Sequence, residues 1–315
     1  MKKNILFFYT DSKFKKFIKD NNENIFSKSL FLKGLFLDYK DKKDFSEIEV
    51  LSIFIDIKID KEELKSFPNL KYIITRSTGR DHINEVFCKK KNIQILNIPE
   101  YGSKTVAEFS LGMLLSLLKN LNDNKNQRGL DLNQKTVGVI GAGRIGRHFI
   151  KLIESFGVNI LISDPNKDKK LAQKYNAKYV SLNELLKKSD IISFYVPLIK
   201  KTKHLISKKH FKKMKDGVIL INVARGGLID TKALYDNLIN KKIFKLGVDI
   251  LEEEWDLYLK NTKNLSKKRI EILKLNKKII KMKNVLYTEH QAYNTKEAVE
   301  RIWNQTLEHI QNIEL

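Results

Sequence analysis

The chain opens with short apolar runs separated by polar stretches of helical period. Asn4–Tyr9, Glu49–Ile55, Lys71–Thr75 and Ile93–Asn97 read as buried strands; Ser12–Asp20, Lys61–Ser66 and Ile83–Lys91 read as the helices or turns between them. Short, continuously apolar strands that alternate with helices predict a parallel sheet covered on both faces. Thr105–Leu121 (TVAEFSLGMLLSLLKNL) is apolar almost all round, which predicts a buried helix placed between two domains. The polar stretch Asn122–Gln134 interrupts the pattern, and from Lys135 the rhythm restarts. Strands are expected at Thr136–Ile140, Asn159–Ser163, Tyr179–Val180, Ile191–Phe194, Val218–Asn222, Lys245–Val248 and Val285–Thr288. Helices are expected between them at Ile145–Phe156, Lys167–Tyr175, Leu182–Lys188, Lys208–Met214 and Thr231–Asn240. Residues 255–283, rich in Lys, Leu and Ile, read as one or two inserted surface helices. A last helix, Thr295–Ile313, carries Ala298, Ile302, Leu307 and Ile310 and is expected to return to the first domain.

The fold class expected is therefore α/β: two Rossmann-like, doubly wound parallel-sheet domains, one inserted into the other. Residues 1–102 and 293–315 form the outer domain and 103–292 the inserted one. The length of 315 residues agrees with two domains.

Composition narrows the function classes. Lys and Arg number 60 against 37 Asp and Glu, a net charge of +23. The lysines are spread along the whole chain without an Arg-rich arm, zinc finger or RNA-binding aromatic signature. A solvated surface is expected rather than a nucleic-acid partner. Such a field draws anionic ligands inward. One cysteine, Cys88, excludes a disulfide framework and a Cys-rich metal site, and fits a cytoplasmic location. Apolar runs such as Val137–Ile140 and Val218–Ile221 are far too short to cross a membrane. The N-terminal run Ile5–Tyr9 is too short for a signal peptide and meets Asp11 at once.

Gly141-Ala142-Gly143-Arg144-Ile145-Gly146 gives G-x-G-x-x-G directly after a strand and at a helix start. In that setting Gly141 permits the tight turn, Gly143 lets the backbone approach a pyrophosphate, and Gly146 lets helix pack on strand. The helix N-terminus faces the phosphates, with Arg144 and Ile145 in its first turn. Asp164 ends the next strand, eighteen residues after Gly146. A carboxylate there accepts hydrogen bonds from both ribose hydroxyls and repels a 2′-phosphate, favouring NAD over NADP, although Lys167 and Lys169 lie close by.

Five blocks taken in order are similar to the D-2-hydroxyacid dehydrogenase family, in its D-lactate dehydrogenase-like branch. They are Thr75–Ile83 (TRSTGRDHI), Tyr101–Glu108 (YGSKTVAE), the glycine loop, Ile221–Asp230 (INVARGGLID) and Thr288–Thr295 (TEHQAYNT). The resemblance covers almost the whole chain. It implies that 103–292 is the NAD-binding domain and that 1–102 with 293–315 is the substrate-binding domain. The active site would lie in the cleft, and the protein would be a homodimer. It implies three catalytic residues: Arg225 in the A-R-G block, His290 after the last strand, and an acid in the run Glu252-Glu253-Glu254. The register of G-V-D-I-L-E-E-E places that acid at Glu254, with Glu252 and Glu253 in the neighbouring registers. Ser77, Thr78 and Gly79 would hold the substrate carboxylate through backbone N–H groups, and Tyr101 and Tyr293 would also touch substrate. The cofactor would meet Thr105, Val196, Pro197, Thr202, Asn222, Val223, Ala224, Arg225, Asp249 and His290. The chain departs from the family in carrying Glu289 where a proline usually precedes the histidine.

The chemistry suits these residue types. A guanidinium fork grips a planar 2-keto acid and polarises its carbonyl. Reduction adds a hydride to carbon and a proton to oxygen, and histidine is the side chain titrating nearest neutrality. A neighbouring carboxylate fixes the ring and supports its charged form. The expected partners are NAD(H) and a small anionic 2-keto or 2-hydroxy acid, with pyruvate and D-lactate leading. A phosphoglycerate dehydrogenase-like enzyme and a nucleotide-sensing, corepressor-like scaffold are the alternatives. The remaining histidines, 82, 148, 204, 210 and 309, read as structural or surface groups.

Overall fold

The computed structural model describes residues 3–8, 12–21, 26–32, 39, 43–121, 128–259, 262–263 and 265–314. Tyr9, at the expected end of the first strand, and residues 122–127 of the polar connection lie outside them. The chain divides into one unit of Met1–Tyr101 with Thr295–Leu315 and a second of Gly102–Asn294.

The first unit holds β1 (Lys3–Phe8), α1 (Ser12–Asp20), β2 (Phe26–Leu32), β3 (Val50–Ile53), α2 (Lys61–Leu64), β4 (Tyr72–Thr75), α3 (Glu85–Lys90), β5 (Gln94–Asn97) and a C-terminal helix, Lys296–Asn312. Its five strands are all parallel, in the order β2-β1-β3-β4-β5. Successive β1 side chains point to opposite faces, and both faces are covered. Leu6 and Phe8 pack with Leu51, Ile73, Phe67 and Cys88. Ile5 and Phe7 pack with Phe14 and Ile18 of α1 and with Ile310 of the C-terminal helix. Side-chain caps start the helices: Asp60 and Glu63 form a capping box on α2, and Asn84 caps α3. Strand β2 was not expected from the sequence. Its polar Ser27, Lys28 and Ser29 weaken the apolar signal, as an edge position allows.

The second unit begins with α4 (Ser103–Lys119). There follow β6 (Thr136–Ile140), α5 (Arg144–Glu154), β7 (Asn159–Ser163), α6 (Lys169–Lys174), β8 (Ala177–Tyr179), α7 (Leu182–Lys188) and β9 (Ile191–Phe194). Then come α8 (Lys208–Phe211), β10 (Val218–Asn222), α9 (Thr231–Ile239), β11 (Ile243–Val248), α10 (Lys267–Ile279) and β12 (Val285–Tyr287). Seven parallel strands run in the order β12-β11-β10-β9-β6-β7-β8. From β6 the chain winds one way to β8, and from β9 the other way to β12. The switch between β6 and β9 is where open α/β sheets open a crevice at their strand ends. The two-sheet, doubly wound α/β architecture expected from the alternation is present.

Helix α10 lies within 255–283, where inserted surface helices were expected: its lysines are exposed, while Ile272, Leu273, Asn276 and Ile279 form a buried inner face. Among the described residues no helix is long and apolar enough to cross a membrane.

Candidate active site

The glycine loop sits at the β6–β9 switch. Gly141 takes φ +94°, and a Cβ on it would meet Tyr195 and Val196 at the end of β9. A Cβ on Gly146 would fall 2.0 Å from the Gly141 carbonyl oxygen, so only glycine lets α5 approach β6 this closely. Above Gly143 there is open space, with nothing within 4 Å of a Cβ built there. Gly143 is the N-cap of the eleven-residue α5 and supplies no side-chain cap. An open cradle at an uncapped helix start fits a dinucleotide pyrophosphate. Asp164 accepts from Ala142 N–H (2.8 Å) and Asn166 N–H (2.7 Å), so it also ties the glycine loop to the end of β7. A carboxylate has about four acceptor positions, which leaves capacity for ribose hydroxyls. Thr202 closes its own turn by donating to Pro197 O (2.6 Å) and accepting from Ile199 N–H (2.8 Å).

A second cluster gathers at the carboxyl ends of three adjacent strands, β10, β11 and β12. After β10, Asn222 orders the turn: its side chain accepts from Ala224 N–H (3.1 Å) and donates to Arg225 O (3.0 Å). Arg225 is half-buried and donates to Ala224 O (2.8 Å). Gly226 then lies directly on the backbone of Leu251 and Glu252. After β11, Asp249 is completely buried. Its carboxylate accepts from Gln291 N–H (2.8 Å), Ala292 N–H (3.0 Å) and the Thr288 hydroxyl, pinning the loop after β12. Glu253 takes a left-handed backbone (φ 50°), which turns Glu254 inward to a buried position.

His290 also holds a left-handed backbone (φ 53°), uncommon for a side chain of this size and sustained where surrounding bonds over-determine it. Here its N–H reaches Thr288 O and Asp249 O. Its Nδ1 lies 2.8 Å from Glu254 Oε1. With Nδ1 engaged by the carboxylate, Nε2 is the ring nitrogen left for proton transfer. Tyr293 stands edge-on to the ring, with centroids 6.4 Å apart.

Sequence reasoning treated His204 as structural or surface, but it too has acid/base geometry. Its Nε2 lies 2.7 Å from Glu252 and its Nδ1 lies 3.6 Å from Asp230. Glu252 is buried and also accepts from the Thr231 hydroxyl, while its carbonyl takes a bond from Asn276. Spacing in the chain could not reveal this pair, because 48 residues separate its members. Glu252 and Glu254, two residues apart, therefore face different imidazoles.

In the first unit, residues 77–79 follow β4. The Ser77 hydroxyl bonds to Thr75 Oγ1 and Gly79 O (each 2.7 Å), and Thr78 Oγ1 donates to Ile98 O (3.0 Å). These side chains shape the loop. The neighbouring Arg76 is buried, its guanidinium bonded to Phe8 O and stacked over Phe14. Tyr101 is buried, and its carbonyl accepts from Arg301. Thr105, on the first turns of α4 in the second unit, is buried.

A doubly wound sheet with this cradle at its switch point, and an imidazole–carboxylate pair at neighbouring strand ends, defines a nicotinamide-dependent dehydrogenase. Residues 114–292 match the family model described as "D-isomer specific 2-hydroxyacid dehydrogenase, NAD binding domain". The chain is 33 % identical over 300 residues to a 2-hydroxyacid dehydrogenase homolog of Zymomonas mobilis, covering 89 % of each. It is 32 % identical over 317 residues to the D-lactate dehydrogenase of Escherichia coli, covering 95 % of this chain and 93 % of that one. The crystal structure of Aquifex aeolicus D-lactate dehydrogenase complexed with NAD and lactic acid superposes with a TM-score of 0.84 at 34 % identity, covering 98 % of this chain and 94 % of that one. The chain belongs to the D-isomer specific 2-hydroxyacid dehydrogenase family. It is an NAD-binding dehydrogenase acting on a small 2-keto or 2-hydroxy acid.

Proposed function

We propose that the protein reduces a small 2-keto acid to the D-2-hydroxy acid, pyruvate to D-lactate foremost, with His290 as proton donor. The observation that carries this reading is the 2.8 Å contact between His290 Nδ1 and Glu254, one strand away from the loop bearing Arg225. The relatives named D-lactate dehydrogenase, in Escherichia coli and Aquifex aeolicus, support the choice of substrate.

In this reading Gly141, Gly143, Arg144, Ile145 and Gly146 hold the pyrophosphate, and Asp164 takes the adenosine ribose. Val196, Pro197, Val223 and Ala224 line the cofactor's path, with Thr202 shaping the turn beside it and Thr105 at the foot of α4. Bound there, the nicotinamide supplies the hydride that reaches the carbonyl carbon. Arg225 pairs with the substrate carboxylate and polarises the carbonyl. Ser77, Thr78 and Gly79 hold the carboxylate through backbone N–H groups, and Tyr101 and Tyr293 bound the substrate. His290 Nε2 gives its proton to the carbonyl oxygen, while Glu254 keeps Nδ1–H in place and balances the ring's charge. In the reverse direction neutral His290 takes the hydroxyl proton. Asp249 acts by holding the loop that carries His290. The carboxylate of Asp164 favours NAD over NADP. The protein is read as a cytoplasmic homodimer with no nucleic-acid or membrane partner.

The test is loss of NADH absorbance with a panel of 2-keto acids, followed by stereochemical assay of the product. Turnover of pyruvate or a close homologue to the D-acid is expected. No turnover of any 2-keto acid, or an L-product, would remove the proposal.

A further inference from the structure

Trp255 follows Glu254 directly, in the 3-10 turn Glu254–Tyr258. Its indole lies nearly parallel to the His290 imidazole, with centroids 5.8 Å apart and planes 18° apart, and it is partly exposed. A hydrogen bond from Nδ1–H to the Glu254 carboxylate fixes one atom of the imidazole but leaves the ring free to swing about that bond. A flat surface against the ring face removes this freedom. We infer that Trp255 is a positioning residue for His290, setting the plane of the imidazole that Glu254 anchors.

The turn bearing Trp255 is itself braced. Asp256, the next residue, is buried and takes a two-pronged bond from Arg269 of α10, which also lies 3.5 Å from Glu253. Asn276 of the same helix holds the Glu252 carbonyl at 2.7 Å. Helix α10, in the segment 255–283 whose role the sequence does not disclose, is thereby tied to the Glu252–Asp256 stretch through Arg269 and Asn276. The indole face also attracts the cationic form of the imidazole at this separation.

Other charged and titratable groups lie near His290. Glu254 faces Nδ1, Glu289 precedes it in the chain, and Asp249 lies under its loop. Tyr258 and Tyr287 share a hydroxyl contact at 3.3 Å, and Tyr293 stands edge-on. None of these covers the face that Trp255 covers by stacking.

This inference rests on the proposed role of His290, so its test includes an arm that needs no turnover. Trp255 and Trp303 are the two tryptophans of the chain. An imidazole stacked on an indole quenches its emission. Wild-type Trp255 emission, with the Trp255→Phe signal subtracted as the Trp303 background, is therefore expected to be quenched by the His290 ring. His290→Gln should release that quenching. In the kinetic arm, Trp255→Leu should lower kcat about tenfold while leaving the KM for NADH within about twofold, and Trp255→Phe should restore most of the rate. Equal Trp255 emission in wild type and His290→Gln would overturn the inference, whether or not Trp255→Leu folds. So would Trp255→Leu retaining full kcat. If no 2-keto acid is turned over but the emission arm holds, the proposed reaction fails and the stack stands.

Discussion

Gly226→Ala is the sharpest perturbation the site offers. The glycine joins the Arg225 turn to the Leu251–Glu254 stretch. A Cβ on it would lie 1.9 Å from Leu251 C, 2.1 Å from Glu252 N and 2.2 Å from Leu251 O, all backbone atoms. Real contacts of this kind stay beyond 3.0 Å, so one backbone must retreat by about 1 Å. No side-chain rotation can absorb that movement. If the β10 loop yields, Arg225 moves; if the β11 loop yields, Glu254 moves and takes its hold on His290 with it. Overpacking of this kind costs about 1–3 kcal/mol of stability. Displacing a reacting group by 1 Å costs on the order of 10²-fold in rate. The variant should therefore melt a few degrees lower yet remain folded by circular dichroism, with kcat/KM for the keto acid about 10²-fold lower. NADH binding, followed by fluorescence, should change far less, because the glycine loop at β6 lies two strands away from β10 in the sheet order. A Gly226→Ala protein with kcat/KM within threefold of wild type would refute the claim that this contact sets the spacing of Arg225 and Glu254.

Three further outcomes are expected. Asp164→Ser should raise the KM for NADH about tenfold and improve use of NADPH, since the carboxylate anchors the glycine loop and, on the proposed reading, would repel a 2′-phosphate; an unchanged cofactor ratio counts against its role. Asp190 is held below its ordinary carboxylate value: burial alone would raise it, but the bonds from Lys215 and Thr136 N–H outweigh that. Its contribution is then complete above pH 3.8 and lost as pH falls through the lower folded value, so the melting-temperature gap between wild type and Asp190→Asn should persist to pH 4 and close only below it. Burial pushes the Cys88 thiol up to about 11, so the native protein should resist alkylation at neutral pH and react once unfolded, and rapid native labelling would show the site to be open.

What the sequence disclosed follows from the range of the interactions involved. Strands such as β6 and β9 are buried on both faces, so their apolar runs stood out, and the spacing Gly141–Gly143–Gly146 carries its meaning within six residues. The edge strand β2 needs no continuous apolar run and stayed hidden. The bonding of Asp249 was not legible, because the amides it accepts from belong to Gln291 and Ala292, over forty residues on. Separation also hid the pairing of His204 with Glu252, 48 residues apart, and the brace that Arg269 and Asn276 of α10 give to the Glu-rich turn across 13 and 24 residues. Among three successive glutamates the family register points to Glu254, but the partner of Glu252 shows only in the fold, through the left-handed turn at Glu253 and the positions of two distant histidines.

Proton delivery by His290 is the central claim, and rapid mixing of enzyme-bound NADH with pyruvate tests it most directly. Wild type should consume bound NADH in a single fast phase. His290→Ala should bind NADH equally well but react about 10²- to 10⁴-fold more slowly, the usual worth of a positioned general acid. A His290→Ala protein that consumes NADH at the wild-type rate would contradict the account.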